Sequence, residues 1–142
     1  MKRYVLWLRI TIFFQVIAAL TQLISIIANP EPRNETEKQL LTLRSTYHWD
    51  MGGGYSPTLE QLYTALSTPF PLLYLLSAIQ YIYLLRKKVS LDILKGLTAI
   101  NVLIFCVSFI VMYKMTFPPP IICTGIVFVL LLISYFTIPR EE

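Results

Sequence analysis

The stretch ITIFFQVIAALTQLISIIA, residues 10–28, decides the fold. It runs 19 positions without a charged side chain. An α-helix needs about 20 predominantly apolar residues to cross the hydrocarbon core of a bilayer. A backbone in lipid must also satisfy its own polar groups, and this run is too long for a strand. It therefore reads as a transmembrane helix. Outward along the chain, three more runs of the same kind follow, at 69–86, 94–113 and 120–138.

Composition agrees. Of 142 residues, 56% are hydrophobic and 14% charged, against about 25% charged in an ordinary soluble domain. That balance excludes a disordered chain, a nucleic-acid module and a disulfide-stapled secreted domain. Met1-Lys2-Arg3 resembles the start of a signal peptide. The apolar run behind it is too long, however, and no A-x-A site stands near Ala28. The expectation is one integral membrane domain, 1–142, whose first span is retained. Its fold class is all-α: a four-helix transmembrane bundle with an extramembrane amphipathic helix between spans one and two.

Lys and Arg give the orientation. Lys2, Arg3, Arg9, Arg86, Lys87, Lys88, Lys95 and Arg140 fall on one side of such a bundle, and Arg33, Lys38, Arg44 and Lys114 on the other. The positive-inside bias places both termini in the cytoplasm of a bacterial inner-membrane protein. The net charge of +4 is thus read as topology rather than as affinity for nucleic acid. Glu31, Glu35, Glu37, Asp50 and Glu60 lie on the outer side.

The outer segment, 29–68, opens with Pro30 and Pro32, which stop the first helix. Asn34 followed by Glu37 makes a capping-box-like start. Leu40, Leu43 and Tyr47 then recur at helical spacing, so an amphipathic helix is expected over 35–47, lying on the bundle or the membrane surface. Tyr47, Trp49 and Tyr55 suit the headgroup zone. Gly52-Gly53-Gly54 breaks the pattern as a flexible turn. Ser56-Pro57 reads as an N-cap with proline at the first helical position, which starts a long second helix over 57–86. Pro69 and Pro71 should kink it or split it in two. Pro118-Pro119-Pro120 reads as a rigid outer turn before the fourth span.

Polar residues fall in stripes along the spans. Thr11, Gln15, Ala18, Gln22 and Ser25 share one face; Tyr63, Ser67, Phe70, Tyr74, Ser77 and Tyr81 another; Thr98, Asn101, Phe105, Ser108 and Met112 a third. The fourth, Thr124, Phe128, Leu131 and Tyr135, is weaker. Such faces turn inward and join helices through hydrogen bonds, or they line a ligand pocket between helices. For a pocket, Gln15, Gln22, Tyr74, Tyr81 and Asn101 are the candidate ligand-binding residues.

The spans hold no Asp, Glu or His at depth. Proton-coupled exporters and ion pumps need such groups. Haem ligation has no support, because the one histidine, His48, lies in the outer segment. Cys106 and Cys123 form no C-x-x-C pair, which excludes thiol–disulfide exchange as the activity and makes them buried apolar fillers. No cofactor and no metal is expected. His48, Asp50 and Glu60, all around the glycine triplet, are the one outer polar cluster able to supply a general acid and base.

Two further groups of residues carry a resemblance. Leu43-Arg44-Ser45, then Met51, a glycine and Leu62-Tyr63 stand before the second span. Tyr113 leads into Phe117-Pro118-Pro119-Pro120-Ile121-Ile122 before the fourth. In these the chain resembles an uncharacterised bacterial family of small four-span inner-membrane proteins, itself distantly similar to DoxX-type proteins. Where that family has Gly-His near the end of its first helix and Gly-aromatic-Gly on its second, this chain has Thr21-Gln22 and Ala65-Leu66-Ser67. The resemblance implies architecture only.

Two function classes follow. The favoured one is a non-enzymatic protein that binds a lipid or other apolar ligand, or packs as an accessory subunit. Its partners would be membrane lipids and either other membrane subunits or further copies of itself, and no nucleic acid. The alternative is a membrane enzyme acting on a lipid-soluble substrate at the outer leaflet through His48, Asp50 or Glu60.

Overall fold

A computed structural model describes residues 3–28, 31–116 and 118–139. Met1, Lys2, Asn29, Pro30, Phe117 and Arg140, which entered the reading above, lie outside the described residues. Six helices follow in order: α1 (Arg3–Ile27), α2 (Glu35–Thr46), α3 (Leu59–Ser67), α4 (Pro69–Lys87), α5 (Leu91–Met115) and α6 (Pro118–Thr137). There is no strand among the described residues, only an isolated antiparallel bridge between His48 and Thr58. Four rods are long and apolar enough to cross a membrane: α1, α3 continued by α4, α5 and α6. The four-helix bundle inferred from 10–28 is the fold.

The distribution of residues is that of a lipid-facing protein. In the most apolar window of each rod only 22–28% of residues are buried. Phe13, Ile24, Leu72, Leu103 and Val107 point outward. The buried set instead includes Thr11, Gln15, Ser77, Thr98, Asn101, Thr124 and Ser134. With lipid as solvent there is no gain from hiding leucine between helices. Small and polar groups, which let backbones approach and can bond across the gap, go inside. The rods are arranged so that α1 lies against both α4 and α6, and α5 lies against α6. On α6 the inward face is Thr124, Val127, Leu131 and Ser134; Phe128 and Tyr135 are only half-buried.

Local chemistry sets the boundaries, and several differ from the sequence reading. The second rod does break, at Thr68, with Pro69 and Pro71 opening α4. A proline in the first turn lacks only an N–H that would have no intrahelical acceptor. The rod starts at Leu59, not at Pro57. Thr58 is the N-cap, and it forms a full capping box in which its side chain takes the Gln61 N–H and the Gln61 side chain takes the Thr58 N–H. That reciprocal pair outcompetes Ser56, which has no such partner three residues on. Pro118, Pro119 and Pro120 are not a turn ahead of the fourth span. They are its first turn, where all three missing donors are tolerated.

Helix α2 ends at Thr46, with Tyr47 as C-cap. The Asn34 side chain accepts the Glu37 N–H at 2.8 Å. The Glu37 carboxylate reaches one residue further back than a capping box would, to the Arg33 N–H at 2.6 Å. Leu40 and Leu43, the expected packing stripe, are exposed. Leu41, Glu37 and Arg44 are the half-buried residues of α2. Cys106 and Cys123 are free and half-buried rather than buried fillers.

Candidate functional site

Midway along the rods the bundle is closed. The Gln15 Nε2 donates to Ser77 Oγ at 2.8 Å. The Ser77 hydroxyl donates to Asn101 Oδ1 at 2.8 Å, and Asn101 Nδ2 donates to the Leu97 carbonyl at 3.0 Å. Each group in this chain is donor to the next, so α1, α4 and α5 are joined by one directed series of bonds. The Tyr74 hydroxyl lies 2.7 Å from Thr124 Oγ1. Thr124 gives its own proton to the Pro120 carbonyl at 2.7 Å, so the phenol is the donor, and α4 is tied to α6. Thr11 and Ser134, 3.2 Å apart, join α1 to α6. Phe105 fills the space between, its ring 5.1 Å from that of Tyr74 at 62°.

Of the five candidate pocket residues, Gln15, Tyr74, Tyr81 and Asn101 all sit in this closed centre at 5% exposure or less. Gln15 and Asn101 are joined through Ser77, Tyr74 is tied to Thr124, and Tyr81 is sealed beside Thr98 and Asn101. None lines any of the clefts described below. Gln15 Oε1 is buried without a hydrogen-bond partner.

Gln22 is placed differently. It lines an open cleft at the end of the bundle that carries α2 and α3. One lobe, about 170 Å³, is bounded by Gln22, Ser25 and Ile26 of α1, Tyr63 and Ser67 of α3, Phe70 of α4, Met112 of α5, Thr116 just beyond it and Pro120 of α6. A second lobe, about 330 Å³, shares Ser25, Ile26 and Tyr63, and adds Ala28, Leu41, Arg44 and Glu60. The cleft lies beside the break at Thr68, where α4 packs on α1 and α3 touches α2 and α4.

The cleft is two-faced. Ile26, Phe70, Met112 and Pro120 offer apolar surface. The polar groups converge at the α2 side. The Arg44 guanidinium lies over the Tyr63 ring, 4.4 Å from its centroid, a cation–π contact that fixes the direction of the charge. Its Nε is buried without a partner, as is Gln22 Oε1. Glu60 makes no ion pair within 4 Å; among the described residues the only one is Lys38 with Glu35. Buried polar atoms are ordinarily bonded, and these two, unlike the orphaned Gln15 Oε1 in the closed centre, lie where an open cleft could bring a polar group to them.

No family model, curated protein or solved structure matches the chain. The cleft therefore stands on its own chemistry.

The outer cluster does not assemble as a unit. The His48 Nδ1 lies 2.6 Å from the Ser56 carbonyl; a carbonyl only accepts, so Nδ1 carries the proton. Asp50 Oδ1 accepts the Gly52 N–H at 2.9 Å. Trp49 and Met51 donate to the carbonyls of Pro57 and Tyr55, which folds 48–58 into a small hairpin. Its tip uses left-handed backbone at Gly52, Gly53 and Gly54, conformations that cost an L-residue about 1–2 kcal/mol each. His48 and Asp50 thus hold the turn, and only Glu60 lines the cleft. No three of His, Cys, Asp and Glu come together to hold a metal among the described residues.

Sequence reasoning missed Arg44, Tyr63 and Ser67 as one site. Tyr63 and Ser67 were visible on the polar stripe of the second rod. The pairing of Arg44 with Tyr63 has no local signal, since they stand 19 positions apart with a hairpin between them.

Proposed function

We propose that this is a non-enzymatic membrane protein that holds an amphiphile drawn from the bilayer in the outer cleft. The polar head of the ligand meets Arg44, Glu60 and Gln22, and its apolar part lies against Ile26, Phe70 and Met112. The observation that carries this reading is the pair of orphaned polar atoms, Arg44 Nε and Gln22 Oε1, beside one apolar-walled cleft. Ligand sites of this build are mostly apolar with a few placed polar groups. The reading keeps the protein in a bacterial inner membrane with both termini cytoplasmic, because the basic residues crowd the end away from α2. It fits the family resemblance, which carries no catalytic residues over.

The alternative, an enzyme at the outer leaflet, draws support from Glu60 alone. A proton acceptor in a lipid-accessible cleft is one part of acid–base chemistry, but His48 and Asp50 are engaged in the hairpin.

Filling the cleft tests the proposal. Ser67→Trp places an indole in the smaller lobe from a half-buried position, and Arg44→Gln removes the head-group cation. Native mass spectrometry of the gently solubilised protein is expected to show one tightly retained amphiphile. Its occupancy should fall about tenfold or more in Ser67→Trp, the loss of roughly 1.4 kcal/mol of binding free energy, with the melting temperature held. An unchanged complement of retained lipid in both variants would refute the reading.

A further inference from the structure

The polar groups of the outer cleft differ in what each lacks, and together they describe one kind of head group. Arg44 Nε is a buried donor with no acceptor, and its guanidinium is held over the Tyr63 ring at 4.4 Å. Gln22 Oε1 is a buried acceptor with no donor. Glu60 is an anion that shares the larger lobe with Arg44, yet the two form no ion pair within 4 Å. All three residues are half-buried. Charges withdrawn from water are ordinarily paired, so this cation and this anion each leave a place for a charge of opposite sign.

Glu60 is set apart from the other acids of the outer side. Glu37 accepts the Arg33 N–H, Asp50 accepts the Gly52 N–H, and Glu35 pairs with Lys38. Glu31 is exposed. Of the described acids only Glu60 lines the cleft. The two lobes also differ in character. The smaller presents mostly apolar surface, with Ile26, Phe70, Met112 and Pro120 in its lining. The larger, which holds Arg44 and Glu60, presents more polar surface than apolar. They adjoin at Ser25, Ile26 and Tyr63, so one molecule can occupy both.

Resting on the reading of this cleft as an amphiphile site, we propose that its ligand is a zwitterionic aminophospholipid, which carries a phosphodiester and a primary ammonium. The phosphodiester accepts from Arg44, in the charge-assisted bond to which a guanidinium is suited. The ammonium has three N–H donors and meets Glu60 and Gln22 Oε1. Other head groups satisfy fewer of these groups. Phosphatidylcholine offers a cation without an N–H, which leaves Gln22 Oε1 unbonded. Phosphatidylglycerol offers hydroxyl donors without a cation, which leaves Glu60 facing a net negative charge. The smaller lobe selects a lipid over a soluble zwitterion, because only an acyl chain would cover its apolar surface.

The test is competition among phosphatidylethanolamine, phosphatidylcholine and phosphatidylglycerol of identical chains for the delipidated full-length protein, read by native mass spectrometry. The lipid held in the cleft is the fraction that Ser67→Trp displaces. In that fraction the wild-type protein should prefer phosphatidylethanolamine to either rival by about tenfold, the worth of one hydrogen bond to a charged group. Glu60→Gln keeps the shape and removes the charge, and should cut the preference over phosphatidylglycerol about fivefold. Gln22→Leu removes the acceptor, and should cut the preference over phosphatidylcholine about fivefold. Glu35→Gln, off the cleft, should change neither ratio. A displaceable lipid with no head-group preference, or a preference that survives in Glu60→Gln with Gln22→Leu, would overturn this assignment and leave the amphiphile site standing. Retention of no lipid that Ser67→Trp displaces would overturn both. Loss of the lipid to an equimolar amount of soluble phosphoethanolamine would overturn the assignment too, by giving the cleft to a free zwitterion.

Discussion

Phe105→Ala is expected to lower the unfolding free energy by about 3 kcal/mol, measured in bicelles by steric trapping or by denaturation in mixed micelles. Phe105 is fully buried and stands edge-on to Tyr74. In soluble cores this truncation costs about 3–5 kcal/mol, combining lost transfer energy with an unfilled cavity. Between helices in lipid the transfer part largely drops out, because the separated helices are solvated by acyl chains as apolar as the core. The packing and cavity part remains, which places the effect at the low end. The loss should spread to α6, since Tyr74 then has no wall to hold its hydroxyl on Thr124. Leu103→Ala on the same helix, where the side chain is 68% exposed, should cost under about 0.5 kcal/mol. Similar costs at the two positions would mean that α5 is rotated about its axis relative to this structure.

Ser77→Ala is expected to cost about 2 kcal/mol. One hydroxyl accepts from Gln15 and donates to Asn101, so its removal breaks two bonds and orphans two amide groups. Interhelical bonds in membranes average about 0.6 kcal/mol and reach about 1.7, and a stranded buried polar group adds to that. The sign of the rescue is diagnostic. Gln15→Leu and Asn101→Leu added to Ser77→Ala remove the stranded groups along with their partner. Replacing all members of a bonded set by apolar groups can be nearly neutral. The triple variant should therefore recover to within about 1 kcal/mol of wild type. A triple variant worse than Ser77→Ala would show that the amides act outside this series.

Much of this fold is legible in the sequence for a simple reason. In lipid, each span must carry its own hydrogen bonds, so the runs at 10–28 and 94–113 could be read one at a time. The inward faces were legible too. Thr11, Gln15 and Ala18 are buried, as are Thr98, Asn101 and Phe105. The role of those polar residues was not. A glutamine or asparagine on an inward stripe serves a helix contact or a ligand equally well, and only depth separates the two. Gln15 and Gln22 are seven residues apart on one face of α1. The first meets Ser77 in the closed centre, and the second lines the outer cleft.

Pro118-Pro119-Pro120 was ambiguous for a related reason. Three prolines fit a turn, and they equally fit the first turn of a helix, where no donor is required. The cleft itself depends on contacts with no local pattern, chiefly Arg44 of α2 on Tyr63 of α3.

Thiol reactivity tests most directly the claim that the bundle is sealed at its centre and open at its α2 end. In a background with Cys106→Ala and Cys123→Ala, single cysteines replace Gln22, Ser67, Ser77 or Ser134, and a small membrane-impermeant thiosulfonate is added from the α2 side. The cysteines at 22 and 67 should react readily. Those at 77 and 134, buried away from water where the thiolate is disfavoured, should react at least about a hundredfold more slowly. A cysteine at 77 that reacts as fast as one at 67 would contradict the account, because it would put an open cleft where the closed polar centre lies.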